Sequence, residues 1–149
     1  MKFWDSSAVI PLLVMEPMTR IVGEILADDR HMHVWWATEV ECVSTLARLE
    51  RENVAPLTIE TALDRLAALR EDWSEIAAGT GVRDTAKRLL RVHALRTTDS
   101  LQLAAATVLA DGDRGSVTVV SLDDRLRDAA RREGFQLLPA ARALKRSRS

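Results

Sequence analysis

The sequence predicts an α/β fold, a mainly parallel sheet flanked by helices. Three observations carry that expectation. Short β-branched or aromatic runs recur at residues 2–4, 31–36, 117–120 and 135–138; helical spacing fills the intervals; and Gly, Asp and Pro breaks divide one from the other. Strands separated by helices form a parallel sheet because the chain must cross back before it lays down the next strand.

Residues 2–4 open as a strand, and Asp5-Ser6-Ser7 beyond it has the chemistry to cap a helix. That helix is expected from Ser7 to about Met15, kinked or late in starting because Pro11 lacks an N–H. Glu16-Pro17 breaks the chain. Residues 18–27 then show helical spacing through Ile21, Val22, Ile25 and Leu26. A turn at 28–30 leads to a second strand at 31–36, whose Trp35 and Trp36 are expected in the core along with Trp4. A helix over 38–52 and a loop over 53–56 come next. A long amphipathic helix over 57–76 follows, with Trp73 either in the core or in a partner-binding groove.

Gly79-Thr80-Gly81 is the sharpest joint in the chain. Helices over 82–95 and 99–110 follow it, the second expected to be capped by Thr98. Residues 117–120 are continuously apolar, as a parallel strand buried on both faces must be. A helix over 123–132 stops at Gly134, and a last strand spans 135–138. Residues 140–149 read as a polar, basic tail with a tendency to disorder.

The 149 residues suit one domain, since halves of that length would bury little core. Cys42 is the only cysteine, which excludes an internal disulfide and a Cys-rich zinc site and fits a reducing cytoplasm. No apolar run approaches the roughly 20 residues of a membrane span. The net charge of −1 is unevenly divided: residues 1–79 hold 7 Lys/Arg against 14 Asp/Glu, and residues 80–149 hold 14 against 8. A basic half is what a phosphate backbone attracts, although solvated helix faces produce the same count.

Topology sorts the acids. In a parallel sheet, ligands bind beyond the carboxyl ends of the strands. Asp5 leaves the first strand there, Asp123 lies just past residues 117–120, Glu41 starts the helix after the second strand, and Asp99 opens the helix that feeds 117–120. Asp28, Asp111, Asp113 and Glu133 fall at the other ends of helices. Crowded carboxylates repel unless a cation joins them, and an all-oxygen set favours Mg²⁺ or Mn²⁺. Such an ion activates water for in-line attack on a phosphodiester. Each acid also has a plainer role. Asp5 suits a helix cap, Asp99 a helix dipole, and Glu41 a solvated stripe with Thr45, Arg48 and Glu52. Ser121 and Asp124 have capping-box spacing. His31, His33 and His93 lack the spacing of metal ligands. Among the basic residues Arg83, Lys87, Arg88, Arg91, Arg96, Arg125 and Arg127, Arg96 is the foremost candidate for a phosphate contact, with Arg125 beside Asp123.

Four motifs, in order, resemble those of PIN-domain nucleases: Trp4-Asp5-Ser6-Ser7-Ala8-Val9; Glu41-Cys42-Val43-Ser44-Thr45-Leu46-Ala47-Arg48; the run from Leu95 to Ala106 around Asp99; and Val119-Val120-Ser121-Leu122-Asp123. Gln102 stands where that family often has His, and Ser121 where Thr is commoner. The resemblance covers residues 2 to about 138 and implies a PIN-like fold cleaving RNA with a divalent metal, Ser7 and Ser121 supporting the acids. It further implies a VapC-type toxin, dimeric and silenced by a small antitoxin. The alternative is a catalytically silent PIN-like module that binds RNA or protein. Phosphatases of the haloacid-dehalogenase type resemble the chain less, since Ser7 stands where they need a second Asp.

Overall fold

The computed structural model describes residues 1–148. Five strands, β1 (Lys2–Trp4), β2 (Met32–Trp35), β3 (Ser74–Ile76), β4 (Thr118–Val120) and β5 (Gln136–Leu138), form one sheet in the order β3-β2-β1-β4-β5. Every pair is parallel. Around it lie α1 (Ser6–Leu13), α2 (Thr19–Asp28), α3 (Thr38–Arg51), α4 (Pro56–Asp72), α5 (Thr80–Val92), α6 (Thr97–Ala110), α7 (Asp124–Arg132) and α8 (Ala141–Arg148). This is the α/β fold expected from the alternation of strand and helix signals.

Successive strand residues point to opposite faces, so each strand feeds two cores. Phe3, Trp35 and Val119 pack with Val82, Leu89, Leu103 and Leu126 on the α5–α6–α7 side. Trp4, Val34 and Val120 pack with Leu13, Val22, Leu46 and Leu66 on the α1–α4 side. Each fully buried side chain of this size contributes about 1.5–3 kcal/mol. On α6, Ala104, Ala105 and Ala106 are wholly buried, and their small side chains allow its backbone to lie close to the sheet.

Several elements depart from the sequence expectations. The long helix over 57–76 is in fact α4, ending at Asp72, followed by the edge strand β3. Trp73 turns extended (φ −84°, ψ 160°) and buries its ring, and Ser74, Glu75 and Ile76 then pair with His33, Val34 and Trp35. Trp36 lies past the end of β2 and is 58% exposed, outside the core. Helix α1 starts at Ser6 and runs through Pro11. The basic tail is helical over 141–148, with Arg148 bonded bidentately to Asp124; Ser149 lies outside the described residues. No helix among the described residues is long and apolar enough to cross a membrane.

Arg127, grouped by sequence with the basic residues near Asp123, is turned inward and buried. Its guanidinium donates to the carbonyls of Ser121 (2.8 Å), Leu138 (3.1 Å) and Pro139 (2.7 Å). Ser121 follows β4, Leu138 ends β5 and Pro139 follows it, so one side chain satisfies the chain where it leaves both strands. Removing it takes the donor from the buried Ser121 and Pro139 carbonyls, while Leu138 keeps the Ser121 N–H (3.1 Å). Arg127→Met is therefore expected to lower unfolding free energy by at least about 2 kcal/mol in urea titration, with Arg127→Lys only a partial rescue because one ammonium does not reproduce the planar fork.

Candidate active site

Residue pairing between β1 and β4 ends at Trp4 and Val120, and the N–H of Asp5 donates to the carbonyl of Val120 (3.0 Å). Asp5 and Ser121 therefore meet just past the strand ends. Asp5 occupies the cap position of α1, yet its side chain makes no capping bond. Instead Oδ2 accepts from the hydroxyls of Ser7 and Ser121 (the latter at 2.9 Å). The serines are fixed in turn, since the N–H of Leu122 donates to Ser7 Oγ (2.9 Å) and that of Asp123 to Ser121 Oγ (3.2 Å). With backbone donors on their oxygens, both hydroxyl hydrogens are free to point at Asp5.

Glu41 is not on a solvated stripe. Arg48 pairs with Glu52 further along α3, while Glu41 faces inward. Its Oε2 accepts from Ser6 Oγ (2.8 Å) and from Gln102 Nε2 (3.1 Å). Asp99, in the first turn of α6, is buried and accepts from the backbone N–H and Nε of Arg96, both at 3.3 Å. Arg96, rather than Thr98, precedes the helix. Asp123 caps α7, accepting at Oδ1 from Leu126 N–H (2.9 Å), and its Oδ2 accepts from a terminal nitrogen of Arg96 (3.2 Å). The Ser121–Asp124 capping box does not form: Ser121 is turned to Asp5, and Asp124 holds Arg148.

Burial pushes the Asp5 carboxyl up to about 6, against the two serine hydroxyls that favour its charge, and the charges of Glu41 and Asp123 push the same way. Glu41 is raised by burial, opposed by Ser6 and Gln102 and reinforced by Asp99. The four acids thus share one electrostatic field. Hydrogen bonds to Asp99 first, then the charges of Asp99, Asp123 and Asp5, hold the Arg96 guanidinium more firmly protonated than usual. Nearby Cys42 has its thiol pushed up to about 12 by burial, so it offers no thiolate.

Among the described residues, no three His, Cys, Asp or Glu side chains stand close enough together to hold a metal ion as placed. Arg96 instead links Asp99 to Asp123. The donors are all oxygens, which fits a hard cation. Arg96, expected as a phosphate contact, is engaged with the acids. Arg125 lines a groove of about 760 Å³ with His93, Leu95, Asp124, Asp128 and Arg132, next to Arg96 and Asp123 in the chain. Three of the four acids set aside by topology have other partners: Asp28 pairs with Lys2, Asp113 accepts from Gly115 N–H, and Glu133 holds Arg88 and His93. Sequence reasoning missed Ser6, Thr38 and Gln102 as supports of the site. Ser6 stood in the first motif beside Ser7, but nothing in the spacing aims it at a residue 35 positions away.

The chain is 33% identical over 148 residues to ribonuclease VapC45 of Mycobacterium tuberculosis (strain CDC 1551 / Oshkosh), covering 93% of this chain and 94% of that protein. The same figures hold for ribonuclease VapC49 of Mycobacterium tuberculosis (strain ATCC 25618 / H37Rv). The crystal structure of PAE2754 from Pyrobaculum aerophilum superposes with a TM-score of 0.63, covering 99% of this chain and 88% of that one; at 15% identity this speaks to the fold alone. No family model matches the chain.

The raised Asp5 carboxyl has a signed consequence. The folded state holds that proton more tightly than the unfolded chain, so stability present at low pH is lost as pH rises from about 4 through about 6. In chelator, Asp5→Asn is expected to match wild type near pH 4 and to exceed it at pH 7 by on the order of 3 kcal/mol, the worth of a shift from 3.8 to about 6. Denaturant curves at both pH values check it. Equal gaps at the two pH values would refute the buried-charge account.

Proposed function

Because the chain belongs to the VapC family of ribonucleases, we propose that it is an endoribonuclease and the toxin of a toxin–antitoxin pair. In this reading Asp5, Glu41, Asp99 and Asp123 hold Mg²⁺ or Mn²⁺. The observation that carries the reading is the meeting of four carboxylates from β1, α3, α6 and the end of β4 in one field, at the pole where parallel sheets bind ligands. When bound, the ion supplies a nucleophilic water near neutral pH and steadies charge on the phosphodiester.

The chain's own residues do the rest. Ser7 and Ser121 hold Oδ2 of Asp5, which fixes the carboxylate's orientation on a rigid strand end. Ser6 does the same for Glu41. Arg96 neutralises Asp99 and Asp123, and its exposed guanidinium is the first phosphate contact. Arg125, in the adjoining groove, is the second phosphate contact. The whole chain acts as one catalytic domain, as a cytoplasmic homodimer, with RNA as substrate and a small antitoxin as inhibitor.

Cleavage of RNA by the purified protein should require Mg²⁺ or Mn²⁺ and stop in chelator. Asp5→Asn and Asp99→Asn should each slow it more than about 100-fold while still melting cooperatively, since a lost ligand removes several kcal/mol of transition-state stabilisation. Wild-type rates in either variant would remove that residue from the mechanism. Expression alone should arrest growth and a short partner protein should relieve it; a folded but harmless product would end the toxin reading.

Arg96 gives a separate check. Arg96→Gln should tighten Mn²⁺ binding, because a competing cation is gone. It should also weaken RNA binding and reduce the salt dependence of that binding by about one phosphate contact. Unchanged Mn²⁺ affinity would mean that Arg96 does not compete for the acids.

A further inference from the structure

Gln102 lies on α6 near one turn beyond Asp99 and is 1% exposed. Its Nε2 donates to two oxygens at once, Glu41 Oε2 and Thr38 Oγ1, both at 3.1 Å. Thr38 opens α3 and Glu41 follows within its first turn, so a single amide ties α6 to α3 at the acid pole. Ser6, from α1, donates to the same Glu41 oxygen at 2.8 Å. Oε2 is therefore held from two helices, and no hydrogen bond from a described residue engages Oε1.

The other end of the same amide has a different fate. Gln102 Oε1 is buried with no hydrogen-bond partner among the described residues. A buried carbonyl oxygen without a donor is destabilising, and an apolar side chain of the same length would avoid that penalty. Packing alone does not account for an amide at this position. Thr38 does not account for it either, because a threonine hydroxyl has no need of a donated hydrogen bond when it has its own hydrogen to place. What remains is the bond to Glu41.

We propose that Gln102 is a positioning residue for Glu41: its Nε2 locks Oε2 so that Oε1 is presented to the divalent cation. This rests on the reading of Glu41 as a metal ligand. Groups that orient a metal's ligands typically change affinity about 10- to 100-fold when removed.

The test is Mn²⁺ titration by calorimetry, with urea denaturation in chelator, on the full chain carrying Gln102→Met, Glu41→Ala or both. Gln102→Met is expected to weaken Mn²⁺ binding about tenfold, with cooperative unfolding in chelator showing that the variant is folded. In the Glu41→Ala background, Gln102→Met should have no further effect on Mn²⁺ affinity, because the carboxylate it orients is gone. Wild-type Mn²⁺ affinity in Gln102→Met would overturn the proposal and leave the metal site standing. Equal weakening with and without Glu41 would also overturn it by showing a packing role. If wild type itself binds no Mn²⁺, the metal reading fails first and the proposal goes with it.

Discussion

The parallel pairing of β1 with both β2 and β4 is the constraint from which the site follows. It places β1 at the centre of the sheet, buries Phe3 and Trp4 on opposite faces, and brings Asp5 out beside Val120. With every strand pointing the same way, the helices leaving β1, β2 and β4 all begin at one pole, and so do Asp5, Glu41 and Asp123. Asp99 joins them because α6 must run back before β4 can be laid down parallel to β1. The site is a consequence of topology, not of any local run of sequence.

Collecting four acids at one pole opposes folding, and the chain limits that opposition by three different means. Serine hydroxyls solvate Asp5 and Glu41 in place of water. Backbone N–H groups at the starts of α6 and α7 take Asp99 and Asp123, where the helix dipole favours negative charge. A guanidinium then neutralises that pair. Asp5 is left with the least relief: it is the most buried of the four and has no cation of its own. If Asp5 holds a metal ion as proposed, strain would be concentrated at the functional group with a well-satisfied framework around it, the usual division between activity and stability. Arg127 belongs to the framework. It is a full positive charge buried a few residues from the acids, yet it spends its donors on carbonyls and none on carboxylates.

Four of the five strands were legible: β1, β2 and β4 as largely apolar runs between clear breaks, and β5 because Gly134 and Pro139 bracket its short apolar run. β3 was not, because Leu66, Leu69, Trp73 and Ile76 continue a helical spacing straight through it. An edge strand pairs on one side only and needs no continuous apolar run, so Ser74-Glu75-Ile76 left no strand signal. Trp36 misled for the opposite reason: it extends an aromatic run by one residue past β2, where its N–H still donates to Ile76 but its side chain is exposed. The four acids were legible from topology, and the motifs agreed. Their hydrogen-bond partners were not, since Ser6 to Glu41 and Gln102 to Glu41 join residues 35 and 61 positions apart. Arg127 was invisible within a run of charges in which only the three-dimensional face separates a buried guanidinium from an exposed one.

The divided charge of the chain takes on meaning once the pairs are known. A pole carrying four carboxylates repels an RNA backbone, so a nuclease built this way needs positive charge near the acids but not consumed by them. Several basic residues of 80–149 pair with acids of the same stretch, Arg88 with Glu133, Arg131 and Arg132 with Asp128, and Arg148 with Asp124, and these pairs leave the excess of 14 over 8 unchanged. Apart from Arg88–Glu133, whose carboxylate is largely buried, these are exposed pairs that salt screens, each worth little to stability. Arg96 differs from them because its partners are the site itself. In the proposed reading, a cation already at the acids would lower the repulsion that incoming phosphate meets, and would be released to that phosphate when a divalent ion took the carboxylates. One side chain would then couple the two charges that the proposed reaction must bring together.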